Sequence, residues 1–152
     1  MSNKRFIIEQ LDKKLKPYAG LAHLIMPSKG WIHAIRNSLG ISLEQLSRKL
    51  GKTKQSVQQY EKREQDGSIT IKTLQEAAAA MEMQLVYVFL PKDGSLDALV
   101  EKKAKQMAVY IVKRSTQTMA LEDQGPTSEY VKDAILEKTT LLKNEMPKIL
   151  WD

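Results

Sequence analysis

Apolar residues recur every three to four positions through most of this chain, and the runs are punctuated by capping side chains, glycines and prolines. Phe6, Ile7, Leu11 and Leu15 predict an amphipathic helix over 3–16, stopped by Pro17. A connector through Pro27, Ser28, Lys29 and Gly30 should wrap rather than fold alone. Trp31, Ile32, Ile35 and Leu39 make a second helix, ended by Gly40. Ser42 and Gln45 have capping-box spacing, so a third helix starts at Leu43, with Leu43, Leu46 and Leu50 inward. The small Ser47 sits where two helices can cross closely. Gly51 ends this helix in a left-handed turn, and Thr53 caps the next, whose inward face is Val57 and Tyr60. Asp66 and Gly67 make a turn. Thr70 then caps a helix with Ile71, Leu74, Ala77, Ala78 and Met81 facing inward.

The pattern changes at Gln84–Leu90, QLVYVFL. Its β-branched and aromatic density, ended by Pro91 and Asp93-Gly94, predicts a strand. A lone strand needs a partner for its backbone. Two are open: its own copy across a two-fold axis, or an extended part of the N-terminal segment. Helical spacing returns after Ser95, with Leu96, Leu99, Val100, Ala104, Met107, Ile111 and Val112 striping a long helix to about Leu121. Gly125-Pro126 breaks it. Thr127 or Ser128 caps a last helix carrying Tyr130, Val131, Ile135, Leu141 and Leu142. Pro147 ends that one, leaving Ile149, Leu150 and Trp151 to dock as a tail. Both stripes read as core, and Glu101, Lys102, Lys103 and Lys105 as a solvated face. The expected fold is therefore mainly α, with a three-part organisation: an N-terminal helix and connector over 1–27, a core with its strand over 28–91, and a helical region over 95–152.

The outward face of the helix after Thr53 is Lys54, Gln55, Ser56, Gln58 and Gln59. A merely solvated helix mixes acids and bases; this one presents amides, a hydroxyl and an amine. Such a face suits base edges in the major groove.

Ser47, Gly51, Thr53, Val57, Tyr60 and Glu61, at their mutual spacing, resemble the lambda-repressor-like, Xre-type helix-turn-helix family. The resemblance implies that base contacts come from Lys54, Gln55 and Gln59. Glutamine can bond adenine N6 and N7 together, and lysine reaches the acceptors of guanine. Ser56 is a base or phosphate contact. Ser42, Lys52, Thr53, Lys62, Arg63 and Lys72 lie where phosphates would run. One departure stands out: many members place a phosphate-binding Gln directly after the helix-two cap, where this chain has Leu43.

With the flanks included, KGWIHAIRNSLGISLEQL, SITIKTLQEAAAAMEMQLVYVFLPK and TMALEDQ resemble the family called mobile mystery protein A. That resemblance implies an Xre-type helix-turn-helix encoded beside a Fic-domain protein, in an arrangement like a toxin–antitoxin operon. Antitoxins of Fic enzymes use a helix with Ser or Thr, three residues, then Glu followed by Gly or Asn. Thr118 and Glu122 fit that spacing, with Asp123 departing at the final position.

Charge supports a polyanionic partner: 24 Lys plus Arg against 18 Asp plus Glu give +6. The absence of cysteine excludes disulfides and thiolate metal sites. No segment approaches the roughly 20 apolar residues of a membrane span, and MSNKRF leads into no signal-peptide core, so a cytoplasmic protein is expected. His23 and His33 are the only histidines, and no nucleotide-binding glycine loop or HExxH is present, so neither catalysis, metal nor cofactor is expected. The sequence thus predicts a homodimeric regulator of double-stranded DNA, reading an operator with the helix over 53–63 and repressing its own operon. The alternative is an antitoxin that acts by binding a Fic-domain partner directly, with DNA binding secondary.

Overall fold

The computed structural model describes residues 3–121 and 127–152, the side chains of 118–121 excepted. Seven α-helices occur among them: α1 (Asn3–Leu15), α2 (Gly30–Ser38), α3 (Leu43–Leu50), α4 (Lys54–Asp66), α5 (Ile71–Ala80), α6 (Leu96–Leu121) and α7 (Ser128–Glu145). Short 3-10 helices span Lys16–His23 and Lys148–Trp151. The chain divides into two compact units, one of His23–Val88 and one of Met1–Ala22 with Phe89–Asp152.

The unit His23–Val88 is built from α2 to α5. Ile32, Leu46, Val57 and Ala77, one from each helix, form its buried centre with Met81 just after α5, and Ile35, Leu43, Leu50, Tyr60 and Leu74 pack around them. The helix starts follow from local chemistry. Ser42 Oγ accepts from the Gln45 amide at 3.0 Å, while Gln45 Oε1 accepts from the Ser42 amide at 2.9 Å, completing the capping box. Thr53 Oγ1 accepts from the Ser56 amide and Thr70 Oγ1 from the Thr73 amide, each at 3.1 Å. Ser47 is buried, and its hydroxyl is satisfied by the Glu44 carbonyl at 2.7 Å.

In the other unit α6 and α7 pack along their length. Ala104 and Ala108, one turn apart on α6, are small enough for Leu142 and Met146 of α7 and Leu150 of the tail to reach them. Thr127, rather than Ser128, caps α7, accepting from the Tyr130 amide at 3.1 Å. Met146 takes a left-handed conformation (φ 44°) at the end of α7, with its side chain buried in this core. Pro147 follows, which a continuing helix could not hold. Of the tail, Leu150 docks and Ile149 and Trp151 stay half exposed.

Two elements need correction, besides four residues read as inward or core that stand exposed, Ile71, Ile111, Tyr130 and Leu141. Of the apolar stripe of α1, Leu15 is partly shielded but Phe6, Ile7 and Leu11 point to solvent. The inward face is instead Arg5, Ile8, Asp12 and Leu15. Polar anchors decide this. The Asp12 carboxylate accepts from the Leu96 and Asp97 amides at 2.7 and 3.1 Å, capping α6 together with Ser95. Arg5 pairs with Asp97, which Lys143 also contacts at 3.2 Å. Burial pushes the Asp97 carboxyl up, but hydrogen bonds from Arg5 and Lys143 outweigh it and hold the group below its ordinary value.

The second correction concerns Gln84–Leu90. No strand occurs among the described residues, and this stretch has no regular structure. The reason is the one its isolation implies: a strand exists by pairing, and none of the described residues offers it a ladder.

Candidate nucleic-acid interface

The site begins with the turn between α3 and α4. Gly51 adopts φ 65°, ψ 32°, the left-handed conformation that lets the chain reverse at the end of α3 without a steric penalty. Its amide donates to the Arg48 carbonyl at 3.2 Å, and the Lys52 amide donates to the Ser47 carbonyl at 2.9 Å. Thr53 follows as the cap of α4. Two helices joined by so short a turn, with Leu46 and Val57 fully buried between them, leave one long face of α4 open.

That open face carries Lys54, Gln55, Gln58, Gln59, Lys62 and Arg63, all exposed, at the helical spacing expected for one side. Ser56 is half buried, and its hydroxyl is 2.9 Å from Thr53 Oγ1, so it serves the cap. Lys52 lies exposed in the turn and Lys72 exposed in the first turn of α5. Ser42 and Thr53 spend their side-chain oxygens on the caps of α3 and α4. Arg48 and Lys49 are two further exposed cations, in the last turn of α3, beyond those singled out from the sequence.

The placing of Glu61 and Glu64 explains why the open face of α4 carries no carboxylate over residues 54–63, while Asp66 at the end of the helix stays exposed. Glu61 turns inward to Arg36 of α2, with Nε 2.6 Å from Oε1, and both side chains are largely shielded, 12% and 14% exposed. Arg36 also donates to the Ile41 carbonyl at 3.0 Å, and His33 Nδ1 is 3.5 Å from Glu61. Glu64, one turn on, accepts from the Trp31 and Ile32 amides at 2.7 and 2.9 Å and so caps α2. The third acid, Asp66, accepts from the Ser68 hydroxyl and amide. These bonds hold its carboxyl below its ordinary value. Glu44 lies beside the reading residues, its carboxylate 4.0 Å from the Lys54 amine. Both groups are exposed, so water and salt screen that pair.

Leu43, at the start of α3, is partly buried against the core. Its side chain is committed to packing and has no polar atom for a phosphate. Glu122 and the side chain of Thr118 lie outside the described residues. Among the described residues, no group of three His, Cys, Asp or Glu could hold a metal ion, and no helix is long and apolar enough to cross a membrane.

A helix, a glycine turn and a second helix whose outward face is polar and free of acids over residues 54–63 define a helix-turn-helix. A helix-turn-helix family model matches residues 32–88, which takes in α2 to α5, so this part of the chain carries a DNA-binding regulatory domain of the Xre type. No curated protein and no solved structure matches the chain.

Proposed function

We propose that this protein is a sequence-specific regulator of transcription that reads double-stranded DNA as a homodimer, with α4 in the major groove. The observation that carries this reading is the sorting of charge on α4. Glu61 and Glu64 are drawn onto α2, and over residues 54–63 only amides and cations face outward. Gln55 and Gln59 read base edges and Lys54 adds a cation beside them. Lys52, Lys62, Arg63 and Lys72 neutralise phosphates on either side, and Ser42, Thr53 and Ser56 frame the backbone contacts. One such module reads a few base pairs, so a dimer on half-sites about 34 Å apart supplies the specificity.

The resemblance to mobile mystery protein A supports a narrower reading, in which the protein works in the cytoplasm and represses its own toxin–antitoxin-like operon. In the second reading it restrains a Fic-domain partner by direct binding. The separate α6–α7 unit favours keeping that reading, because Tyr130, Leu136 and Leu141 stand exposed on one helix of it.

The test is a titration of the full chain on its own upstream DNA at two salt concentrations. Gln55→Ala and Gln59→Ala should each lose ~1–3 kcal/mol on the cognate site and relax preference there. Lys62→Gln should weaken all sequences alike and flatten the salt slope by about one unit. Binding that ignores sequence and survives both glutamine changes would refute the reading and leave partner binding as the function.

A further inference from the structure

In the unit of Met1–Ala22 with Phe89–Asp152, α6 and α7 leave a groove of 960 Å³ along one side of their contact. Ile111 and Val112 of α6 and Tyr130, Ala134 and Leu141 of α7 give it an apolar lining. Tyr130 is 54% and Leu141 45% exposed, so much of that lining meets water. The part that α7 supplies runs from Tyr130 to Asn144, roughly 21 Å at 1.5 Å per residue, or about four helical turns. The outer edge is acidic. Glu129, Asp133 and Glu137 follow each other at four-residue spacing, so they form a row one turn apart beside Tyr130 and Leu141. All three are exposed, and their carboxylates make no ion pair or hydrogen bond among the described residues. Lys138 also lines the groove but is partly shielded on the flank of α7 nearer the core, and it pairs with none of them.

We infer that this groove binds a basic amphipathic helix of a partner protein, laid along α7 with its apolar side chains on Ile111, Tyr130 and Leu141 and its cations on Glu129, Asp133 and Glu137. The inference goes beyond the DNA reading and does not depend on it. Shape and charge select the occupant. Both walls are helices whose backbone groups are bonded internally, so the groove offers no edge to which an extended segment could add as a strand. A straight apolar strip of about four turns with one polar edge suits the apolar face of a helix instead. Carboxylates one turn apart match cations at four-residue spacing on a helix lying alongside. In a chain of net charge +6, such an acidic row repels both nucleic acid and an acidic segment. It also disfavours a second copy docked groove to groove, because the two rows would then face each other.

The probe is a fluorescein-labelled, alanine-rich peptide of about 16 residues, with leucines along one face and arginines one turn apart beside them. A twin peptide carries glutamates in place of the arginines. Anisotropy titration with the full chain should show one arginine peptide bound per chain, about tenfold tighter than the twin, because the facing ion pairs act together. Asp133→Lys and Glu137→Lys, made together at exposed positions, should reverse that preference. Leu141→Ala should weaken both peptides several-fold, through the apolar contact they share. Glu76→Lys, at an exposed position of the other unit, is the control and should change neither. Circular dichroism verifies the helix content of every variant. No binding of the arginine peptide, equal binding of the twins, or a preference that survives the two lysine changes would overturn the proposal. So would a concentration-dependent dimer in sedimentation that the same changes abolish, because the groove would then hold a second copy. Operator titration of the lysine variant is scored separately and should match the parent, so a failed DNA reading and a failed groove give different results.

Discussion

Glu64→Ala removes a single carboxylate from the reading helix and should destabilise the unit His23–Val88 by about 2 kcal/mol. The magnitude follows from what that carboxylate holds. It accepts from the Trp31 and Ile32 amides at 2.7 and 2.9 Å, two of the donors that the start of α2 leaves without helical partners. Lys29 supplies no side-chain cap of its own. Losing a helix cap costs about 1 kcal/mol, and losing the negative charge at a helix N-terminus adds about 0.3–1 kcal/mol. The shielded Ile32 amide, left without an acceptor, brings the total to about 2 kcal/mol. Glu64→Gln keeps one acceptor and should cost about half as much. Gly30→Ala probes the same contact from the other side. Gly30 sits at φ 84°, and an added Cβ would come 2.7 Å from the Glu64 carboxyl carbon, displacing it. The two alanine changes should therefore be less than additive, by about 1 kcal/mol, since each disrupts the same cap. The assay is urea unfolding followed by Trp31 fluorescence in a Trp151→Phe background, which leaves only the tryptophan beside Glu64. With a slope of about 1 kcal/mol/M for so small a unit, the midpoint should fall by about 2 M for Glu64→Ala. A change of less than about 0.5 kcal/mol would refute the reasoning, because it would place the carboxylate among ordinary surface groups.

Two further perturbations test the frame around the site. Arg36→Ala should cost about 3 kcal/mol in the same unfolding assay, because it strands the shielded Glu61 carboxylate and frees the Ile41 carbonyl. Asp97→Asn should lower the thermal stability of the other unit at neutral pH, read by circular dichroism. The folded-state carboxyl of Asp97 is depressed, so its contribution is present above the unfolded value of about 3.9 and is lost as pH falls through the folded value. The gap between parent and variant should accordingly be constant from neutral pH down to about 5 and close below 4.

What could be read in the sequence was local chemistry. The capping box at Ser42 and Gln45, the caps at Thr53 and Thr70, the turn at Gly51 and the burial of Leu46 and Val57 depend on neighbours within a few positions. What could not be read depends on partners far away in the chain. Arg36 meets Glu61 across 25 positions, Glu64 caps α2 across more than 30, and Asp12 caps α6 across more than 80. No periodicity encodes such pairs. For that reason the apolar pattern misplaces the inward face of α1: a helix turns its largest apolar stripe inward only if polar anchors do not set its rotation first. In α1 Arg5 and Asp12 set it, and Ile8 is the apolar residue that follows them in.

The same distinction separates the two halves of the reading surface. An outward face without acids over residues 54–63 is not visible in composition, since α4 contains Glu61, Glu64 and Asp66 among its 13 residues. It arises because Glu61 and Glu64 fall in phase with Val57 and so share the buried side, while Asp66 stays exposed at the end of the helix, beyond residues 54–63. There they meet an arginine and two helix-end amides, which repay their desolvation. The glutamines at 55, 58 and 59 are out of phase with that side and stay in water. The acids that hold α4 against α2 thus also leave its outer face positive, so fixing the helix and suiting it to a polyanion come from one arrangement of charge. Any substitution that releases Glu61 or Glu64 from α2 should then weaken DNA binding as well as folding. An Arg36→Ala protein still folded at low temperature should bind DNA less tightly than the parent at equal salt.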